Sequence, residues 1–182
     1  VNRRYGVPFD QLGIISGPCH AEEVALERLS YLTVVCKEME NSLSLGEKIG
    51  TSYINVSHST DIYGTEYASV LKNIYAIAVG ICVGLGYGDN TKAALITRGM
   101  AEIARLGIAM GARAETLYGL SGIGDLIVTC ASVHSRNRRA GVLIGQGATM
   151  QEAMDQVQMV VEGVYSAKAG RALAEKYQIT MP

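Results

Sequence analysis

The 182-residue sequence lacks an excess of charge of either sign. Sixteen Lys and Arg side chains face seventeen Asp and Glu side chains, and the formal net charge at pH 7 is −1. Domains that bind nucleic acid or anionic membranes generally leave a basic excess. We therefore expect no nucleic acid as a partner.

The sequence also lacks cysteine and histidine motifs. Its four cysteines are Cys19, Cys36, Cys82 and Cys130, which are far apart, have no C-x-x-C spacing and lie mostly in apolar runs. The three histidines have no spacing typical of metal ligands either. The pattern predicts buried free thiols in a reducing compartment such as the cytoplasm, and no metal site.

No signal peptide precedes the first residues, and the chain opens at Val1 without an initiator methionine, which suggests an internal segment of a longer protein. The uncharged run at 73–88 contains four glycines. It is also shorter than the roughly 20 residues that a membrane-spanning helix needs. We predict a buried helix and its exit loop, with no stable membrane insertion.

Two sequence patterns meet near residue 62. Before it, strand-like runs (LGIISGP, YLTVVCKE, YINVS) alternate with helical ones (AEEVALERL, NSLSLGEKIG), which is typical of βαβ units and a parallel sheet. After it, strand signals vanish and apolar residues recur at helical spacing. We predict a mostly α chain, with an α/β part at 1–62 and a helical part at 63–182. The expected helices are 63–84, 90–110, 114–118, 123–131, 137–144, 150–158 and 164–177.

A glycine-rich segment, GLGYGDN, follows the first long helix. A dinucleotide fingerprint needs G-x-G-x-x-G directly after a strand, whereas Asp89 occupies the last glycine position here and a helix precedes the segment. We predict an interhelical turn, with Asp89 or Asn90 capping the next helix.

One charge stands out in the first long helix. Lys72 is the only charged residue between Glu66 and Asp89, and Asn73 follows it. An ammonium group in an apolar helix must be paired, catalytic or solvated by a pocket, because burying it alone is very costly.

A second isolated charge mirrors the lysine. Asp125 is the only charged residue between Thr116 and Ser135, and Thr129 lies on the same helix face four residues later. One alternative is a buried Lys72–Asp125 ion pair that fixes two helices. The other is a lysine placed for proton transfer beside an aspartate.

The segment SRNRR at 135–139 begins the next helix, with Ser135 as a natural N-cap. Arginines in a first turn oppose the helix dipole unless an anion binds there. Arg136, the Ser135 hydroxyl and free backbone N–H groups could therefore hold a phosphate. Alternatively, the arginines point to solvent or pair with acidic side chains.

These segments resemble one family along nearly the whole chain. SGPCHAEEV, LKNIYAIAVGICVGLGYGDNTKAALITRG, SGIGDLIVTC, SRNRRAG and VEG, in this order, are similar to bacterial NAD(P)-dependent glycerol-3-phosphate dehydrogenases. The resemblance implies that residues 1–62 are the end of a truncated Rossmann-type domain. It also implies a helical substrate domain at 63–182, NAD or NADP as cofactor, glycerol 3-phosphate or dihydroxyacetone phosphate as substrate, and a homodimer.

The resemblance also assigns roles to residues. Lys72 matches the catalytic proton acceptor and Asp125 the aspartate that orients it. The positions that match substrate-binding residues are Gly17, Cys19, Lys72, Asn73, Asp125, Thr129, Ser135, Arg136 and Asn137. The positions that match cofactor-binding residues are Ala21, Arg136, Val160 and Glu162.

Two positions depart from the family pattern. Cys19 stands where bacterial relatives usually have serine, which replaces a hydroxyl by a weak donor. Val83 stands where an acidic residue is common. Two rival interpretations remain open at this stage: a related helical-domain dehydrogenase of the phosphogluconate type, and a non-catalytic helical dimerisation module.

Overall fold

The structure, a computed structural model, describes residues 2–181. A short helix α1 and a 3-10 turn at Phe9–Gln11 precede a three-stranded sheet. The elements up to the end of the sheet are α1 (Asn2–Tyr5), β1 (Gly13–Ser16), α2 (Ala21–Val24), β2 (Ser30–Cys36), α3 (Met39–Ile49) and β3 (Ile54–Ser59).

The sheet has the order β1-β2-β3, with β2 in the centre. Strands β2 and β3 are parallel and joined through α3, so this βαβ unit is confirmed. Strand β1 pairs antiparallel with β2, so the predicted parallel sheet was wrong for this strand. The predicted helix AEEVALERL shortens to the four residues of α2, and Glu27 then takes a left-handed conformation (φ +54°). Between β1 and β2 the chain thus forms a single short helix instead of the longer helix that usually joins parallel strands.

The rest of the chain is helical, as predicted, and each helix begins and ends within two residues of its predicted limits. The helices are α4 (Ile62–Gly84), α5 (Asp89–Ala109), α6 (Ala114–Leu117), α7 (Asp125–Ala131), α8 (Arg136–Gly145), α9 (Met150–Val157) and α10 (Glu162–Tyr177). A π-helical turn at Leu120–Gly124 leads directly into α7, so the helix predicted from 123 begins at Asp125.

Asp61 fixes the start of α4. Its carboxylate is buried (5% exposed) and accepts hydrogen bonds from the backbone N–H groups of Gly64 (2.9 Å) and Arg113 (2.8 Å). The first bond caps the helix and the second ties its first turn to the loop before α6. The direction of α4 is thereby set at its origin.

Helix α4 is the centre of the helical part, since it packs against α5, α7, α8 and α10. Its buried residues join those of α5, with Ile103 and Leu106 almost fully buried, and those of α7 in one apolar core. Among residues 2–181, α4 alone is long and apolar enough to span a membrane. A second candidate arises only if 114–131 and 136–145, which meet at 45°, count as one helix. A packed core helix has the same length and composition.

Four glycines let α4 and α8 touch along their backbones; we call Gly80, Gly84, Gly141 and Gly145 the glycine seam. A Cβ atom on Gly80 would collide with the carbonyl oxygen of Arg138. The other three glycines would likewise collide with backbone carbonyl oxygens of the facing helix. The closeness of the two helices therefore depends on the absence of these side chains.

The start of α5 differs from the prediction. Gly88 is the N-cap, without a side-chain cap bond, and Asp89 is the first helical residue, paired with Lys92. Neither Asp89 nor Asn90 is therefore the cap. Further along α5, Glu102 is 8% exposed and accepts a 2.6 Å hydrogen bond from the Tyr75 hydroxyl. That bond and burial raise the pKa of the Tyr75 phenol, with burial the larger cause.

Candidate active site

A cleft of about 820 Å³ separates the end of β1 and the start of α2 from the helical part. All but one of the predicted site residues line it: Gly17, Cys19, Ala21, Lys72, Asn73, Asp125, Thr129, Ser135, Arg136, Asn137 and Glu162. These residues come from five separate segments of the chain. The fold thus brings together side chains that are more than 140 positions apart.

The exception is Val160, which is 62% exposed and does not line the cleft. It lies in the turn before α10, two residues after Gln158, whose backbone is left-handed (φ 55°). Its neighbour Met159 does line the cleft. The predicted cofactor contact of Val160 therefore remains a prediction.

The two isolated charges meet at the floor of the cleft. Lys72 Nζ lies 2.5 Å from Asp125 Oδ1, and their side chains are 18% and 7% exposed. The Thr129 hydroxyl donates to the same oxygen at 3.2 Å. The predicted pair and the predicted shared face of Asp125 and Thr129 are both present, in a setting with little water to screen the charges.

The thiol behind this pair is inert. Cys130 is fully buried next to Thr129. Burial raises the pKa of its thiol to about 12, although the positive charges of Lys72 and Arg138 act in the opposite direction. All four cysteines are free, as predicted; Cys36 and Cys130 are buried, whereas Cys19 and Cys82 are partly exposed.

Asn73 and Asn137 join α4 to the starts of α8 and α10. Asn137 Nδ2 donates to Asn73 Oδ1 at 3.0 Å, and Asn137 Oδ1 accepts from the backbone N–H of Gly163 at 2.9 Å. Nδ2 also lies 3.5 Å from Glu162 Oε2. Asn137 is only 4% exposed, so this side chain holds three segments of the cleft wall in register.

The start of α8 has the predicted cap. The Ser135 hydroxyl accepts a hydrogen bond from the backbone N–H of Arg138 at 3.3 Å. Arg136 Nη2 lies 2.8 Å from Glu162 Oε1, and each side chain is 38% exposed. Arg136 therefore pairs with an acidic side chain, which is one of the two alternatives that the sequence left open. Both Arg136 and Glu162 line the cleft. An incoming anion would compete with Glu162 for Arg136.

The sheet side of the cleft begins with a tight turn. Gly17 follows β1 with φ +133°, and a Cβ atom there would lie 2.8 Å from the Tyr31 carbonyl oxygen, so only glycine fits. Burial raises the pKa of the Cys19 thiol; a hydrogen bond with Ser30 lowers it, and the charges of Asp125 and Glu23 raise it further. Cys19 therefore faces the cleft as a neutral thiol near pH 7.

Several lining residues were not among the predicted site residues, and they include Ser16, His20, Ser69 and His134. The His20 and His134 rings lie near each other, with centroids 6.0 Å apart and planes tilted by 55°. Ser16 is the last residue of β1 and directly precedes the Gly17 turn. Its place at the start of the SGPCHAEEV segment was the signal in the sequence that could have identified it. Across residues 2–181, no three His, Cys, Asp or Glu side chains cluster in a way that could hold a metal ion.

The sequence is similar to those of known proteins. Residues 61–182 match the family described as NAD-dependent glycerol-3-phosphate dehydrogenase C-terminus. The chain belongs to that family. It is 56% identical over 178 residues to the glycerol-3-phosphate dehydrogenase [NAD(P)+] of Agathobacter rectalis, covering 97% of this chain and 52% of the relative. The Clostridium perfringens protein of the same name is 51% identical, with 97% and 53% covered.

A solved structure of this family has the same fold. The glycerol-3-phosphate dehydrogenase from Coxiella burnetii superimposes with a TM-score of 0.90 at 40% identity, covering 93% of this chain and 52% of the other. The chain thus spans about half the length of the relatives that it matches.

Proposed function

We propose that this chain supplies the substrate-binding and proton-transferring part of an oxidoreductase that interconverts sn-glycerol 3-phosphate and dihydroxyacetone phosphate with NAD or NADP. The observation that carries the proposal is the Lys72–Asp125 pair at the floor of a polar cleft. Family membership supports the substrate class. Below, the full-length enzyme means a protein of full family length that contains this chain.

The proton-transfer step follows from the geometry of the pair. Oxidation at C2 of glycerol phosphate removes a hydride from carbon and a proton from the hydroxyl group. The dinucleotide, when bound, supplies the acceptor of that hydride. The Lys72 amine, in its neutral form, accepts the proton and returns it to the carbonyl oxygen in the reverse direction. Asp125 keeps the amine in place, and Thr129 holds the Asp125 carboxylate.

Substrate and cofactor binding is proposed for the remaining cleft residues. Ser135 and Arg136 offer a hydroxyl and a guanidinium to phosphate oxygens, and Asn73 lies beside Lys72 to bind a substrate hydroxyl. Thr129 and Asn137 are proposed as further substrate contacts on the helical side of the cleft. On the sheet side we propose Gly17 and Cys19 as substrate contacts and Ala21 as a cofactor contact.

Arg136, Glu162 and Val160 complete the proposed cofactor contacts. The Glu162 carboxylate can accept hydrogen bonds from ribose hydroxyls, and hydrogen bonds to an ionised carboxylate are strong. We also propose that the full-length enzyme is a homodimer in a bacterial cytoplasm; the four free thiols are typical of a reducing compartment. Sedimentation at several concentrations tests the dimer.

A substrate panel tests the proposed function. We expect the full-length enzyme to oxidise sn-glycerol 3-phosphate, and to oxidise glycerol about a thousandfold less efficiently in kcat/KM, because a site built for a phosphate is left with unpaired polar groups. Comparable or higher kcat/KM with 6-phosphogluconate would favour the related hydroxy-acid dehydrogenase. Absence of turnover with every substrate would favour the interpretation of the chain as a non-catalytic helical dimerisation module.

Arg136→Ala is expected to raise KM for glycerol 3-phosphate by about 10- to 100-fold, the range of a lost charge-assisted hydrogen bond. Arg136→Lys should recover only part of this loss, because an ammonium group cannot form the guanidinium fork. Arg171→Ala is the matched control, since Arg171 is exposed and pairs with Glu175 on α10. Unchanged KM in Arg136→Ala would contradict the phosphate contact.

A further inference from the structure

A pair of serines lies on the side of the Asp125 carboxylate that does not contact Lys72. The Ser16 hydroxyl lies 3.0 Å from the Ser69 hydroxyl and 3.5 Å from Asp125 Oδ2. Ser16 is 8% exposed at the end of β1, whereas Asp125 begins α7, 109 positions later. These contacts connect the sheet, α4 and α7 at the carboxylate.

The chemistry of the groups gives the hydrogen bonds a direction. An ionised carboxylate only accepts hydrogen bonds. The Ser16 proton therefore points to Asp125, and the Ser69 hydroxyl donates in turn to the Ser16 oxygen. Lys72 and Thr129 both contact the other carboxylate oxygen, Oδ1. Each oxygen of Asp125 thus has its own donors, and together they fix the plane of the carboxylate.

Both serines are themselves held firmly. Ser16 is paired with Thr33 in the sheet, and Ser69 lies within α4, where its carbonyl oxygen accepts a hydrogen bond from Asn73 Nδ2 at 3.2 Å. The contact of 3.5 Å is long for a hydroxyl donor. Hydrogen bonds in active sites without ligand are often long and shorten when substrate binds.

We propose that Ser16 and Ser69 are positioning residues that act through Asp125 on Lys72, so that proton transfer depends on the contact between the sheet and the helical part. The inference rests on the proposed function. Neither serine is expected to touch substrate in this role. Their removal should therefore lower the rate of proton transfer rather than the affinity for substrate.

The first test is Ser16→Ala in the full-length enzyme. We expect kcat with glycerol 3-phosphate to fall about tenfold, from the loss of one hydrogen bond to a charged group. KM should stay within about twofold and the solvent isotope effect on kcat should increase, because proton transfer becomes slower. Ser16→Thr keeps the hydroxyl and should restore most of the rate. Ser69→Ala should cost about threefold, since it acts through Ser16.

A double-mutant cycle separates this role from a structural one. If Ser16 acts through Asp125, then Ser16→Ala should cause little further loss of kcat in an Asp125→Ala background. Ser42→Ala is the matched control: Ser42 is fully buried next to the same sheet and bonds the Val34 carbonyl oxygen at 2.7 Å, away from the cleft. It should lower the melting temperature and leave kcat unchanged.

Each outcome is decisive. Unchanged kcat in Ser16→Ala, or equal losses with and without Asp125, would overturn the inference while leaving the proposed function intact. No turnover of glycerol 3-phosphate by the unmodified enzyme would overturn the proposed function, and this inference with it. If Ser16→Ala does not fold, Ser69→Ala carries the test: kcat must fall while KM is retained.

Discussion

Replacing Lys72 with either alanine or arginine is expected to lower kcat of the full-length enzyme by about a thousandfold or more while the protein stays folded. Lys72→Ala removes the proton acceptor, and general acid–base catalysis contributes about 10²- to 10⁴-fold. Lys72→Arg retains a positive charge beside Asp125, but a guanidinium stays protonated and cannot accept a proton. Steady-state kinetics with glycerol 3-phosphate and circular dichroism measure the two properties.

The arginine variant distinguishes catalysis from a purely structural ion pair. If the pair only fixed α4 against α7, Lys72→Arg would keep near-normal activity, and Lys72→Ala would mainly lose thermal stability. Lys92→Ala is the matched control, because Lys92 is paired with exposed Asp89 on α5. It should change neither kcat nor the melting temperature appreciably. Near-normal kcat in both Lys72 variants would contradict the proposed role.

The second large effect is expected at the glycine seam. Gly141→Ala should destabilise the full-length enzyme by about 3 kcal/mol, because the added methyl group collides with the backbone of α4 at Ile77 and Gly80. This loss should appear even though alanine favours a helix over glycine by about 1 kcal/mol. The midpoint of urea unfolding measures it.

Gly170→Ala is the matched control for the seam. Gly170 is also a buried glycine within a helix, but an added Cβ there would meet only the side-chain methyl groups of Ile74 and Leu71, at 3.2 and 3.3 Å. Such side-chain ends can move, so the variant should be near neutral. Equal stability of Gly141→Ala and Gly170→Ala would contradict the backbone contact between α4 and α8.

The seam should also affect the cleft. Asn137 lies in the first turn of α8 and bonds Asn73 on α4. If the two helices separate, this bond must lengthen. We therefore expect any folded fraction of Gly141→Ala to show a lower kcat/KM as well as lower stability.

Local signals made much of the helical part predictable. Ser135 and the glycines near helix ends mark where helices begin and end, because a few neighbouring residues determine helix caps and turns. The pairing of Lys72 with Asp125 was predictable for a different reason. Each is the single charge of a long apolar stretch, so few other partners were available to either.

Other features depend on contacts between distant residues. Strand β1 is antiparallel to β2 and α2 ends early, and the helical pattern of AEEVALERL showed neither feature. Ser16 and Asp125 are 109 positions apart in the sequence, and no local sequence pattern predicts their contact. Arg136 was placed correctly at the start of α8, but its pairing with Glu162 is decided by where α10 begins.

The central position of α4 has a consequence for synthesis of the chain. Its 23 residues form the most apolar long helix described, yet its closest partner α8 ends about sixty residues later. At about 5–20 residues per second, the ribosome leaves α4 without that partner for about 3 to 12 seconds. We expect nascent chains to need a chaperone during this interval, and truncation before residue 136 to give an aggregating product.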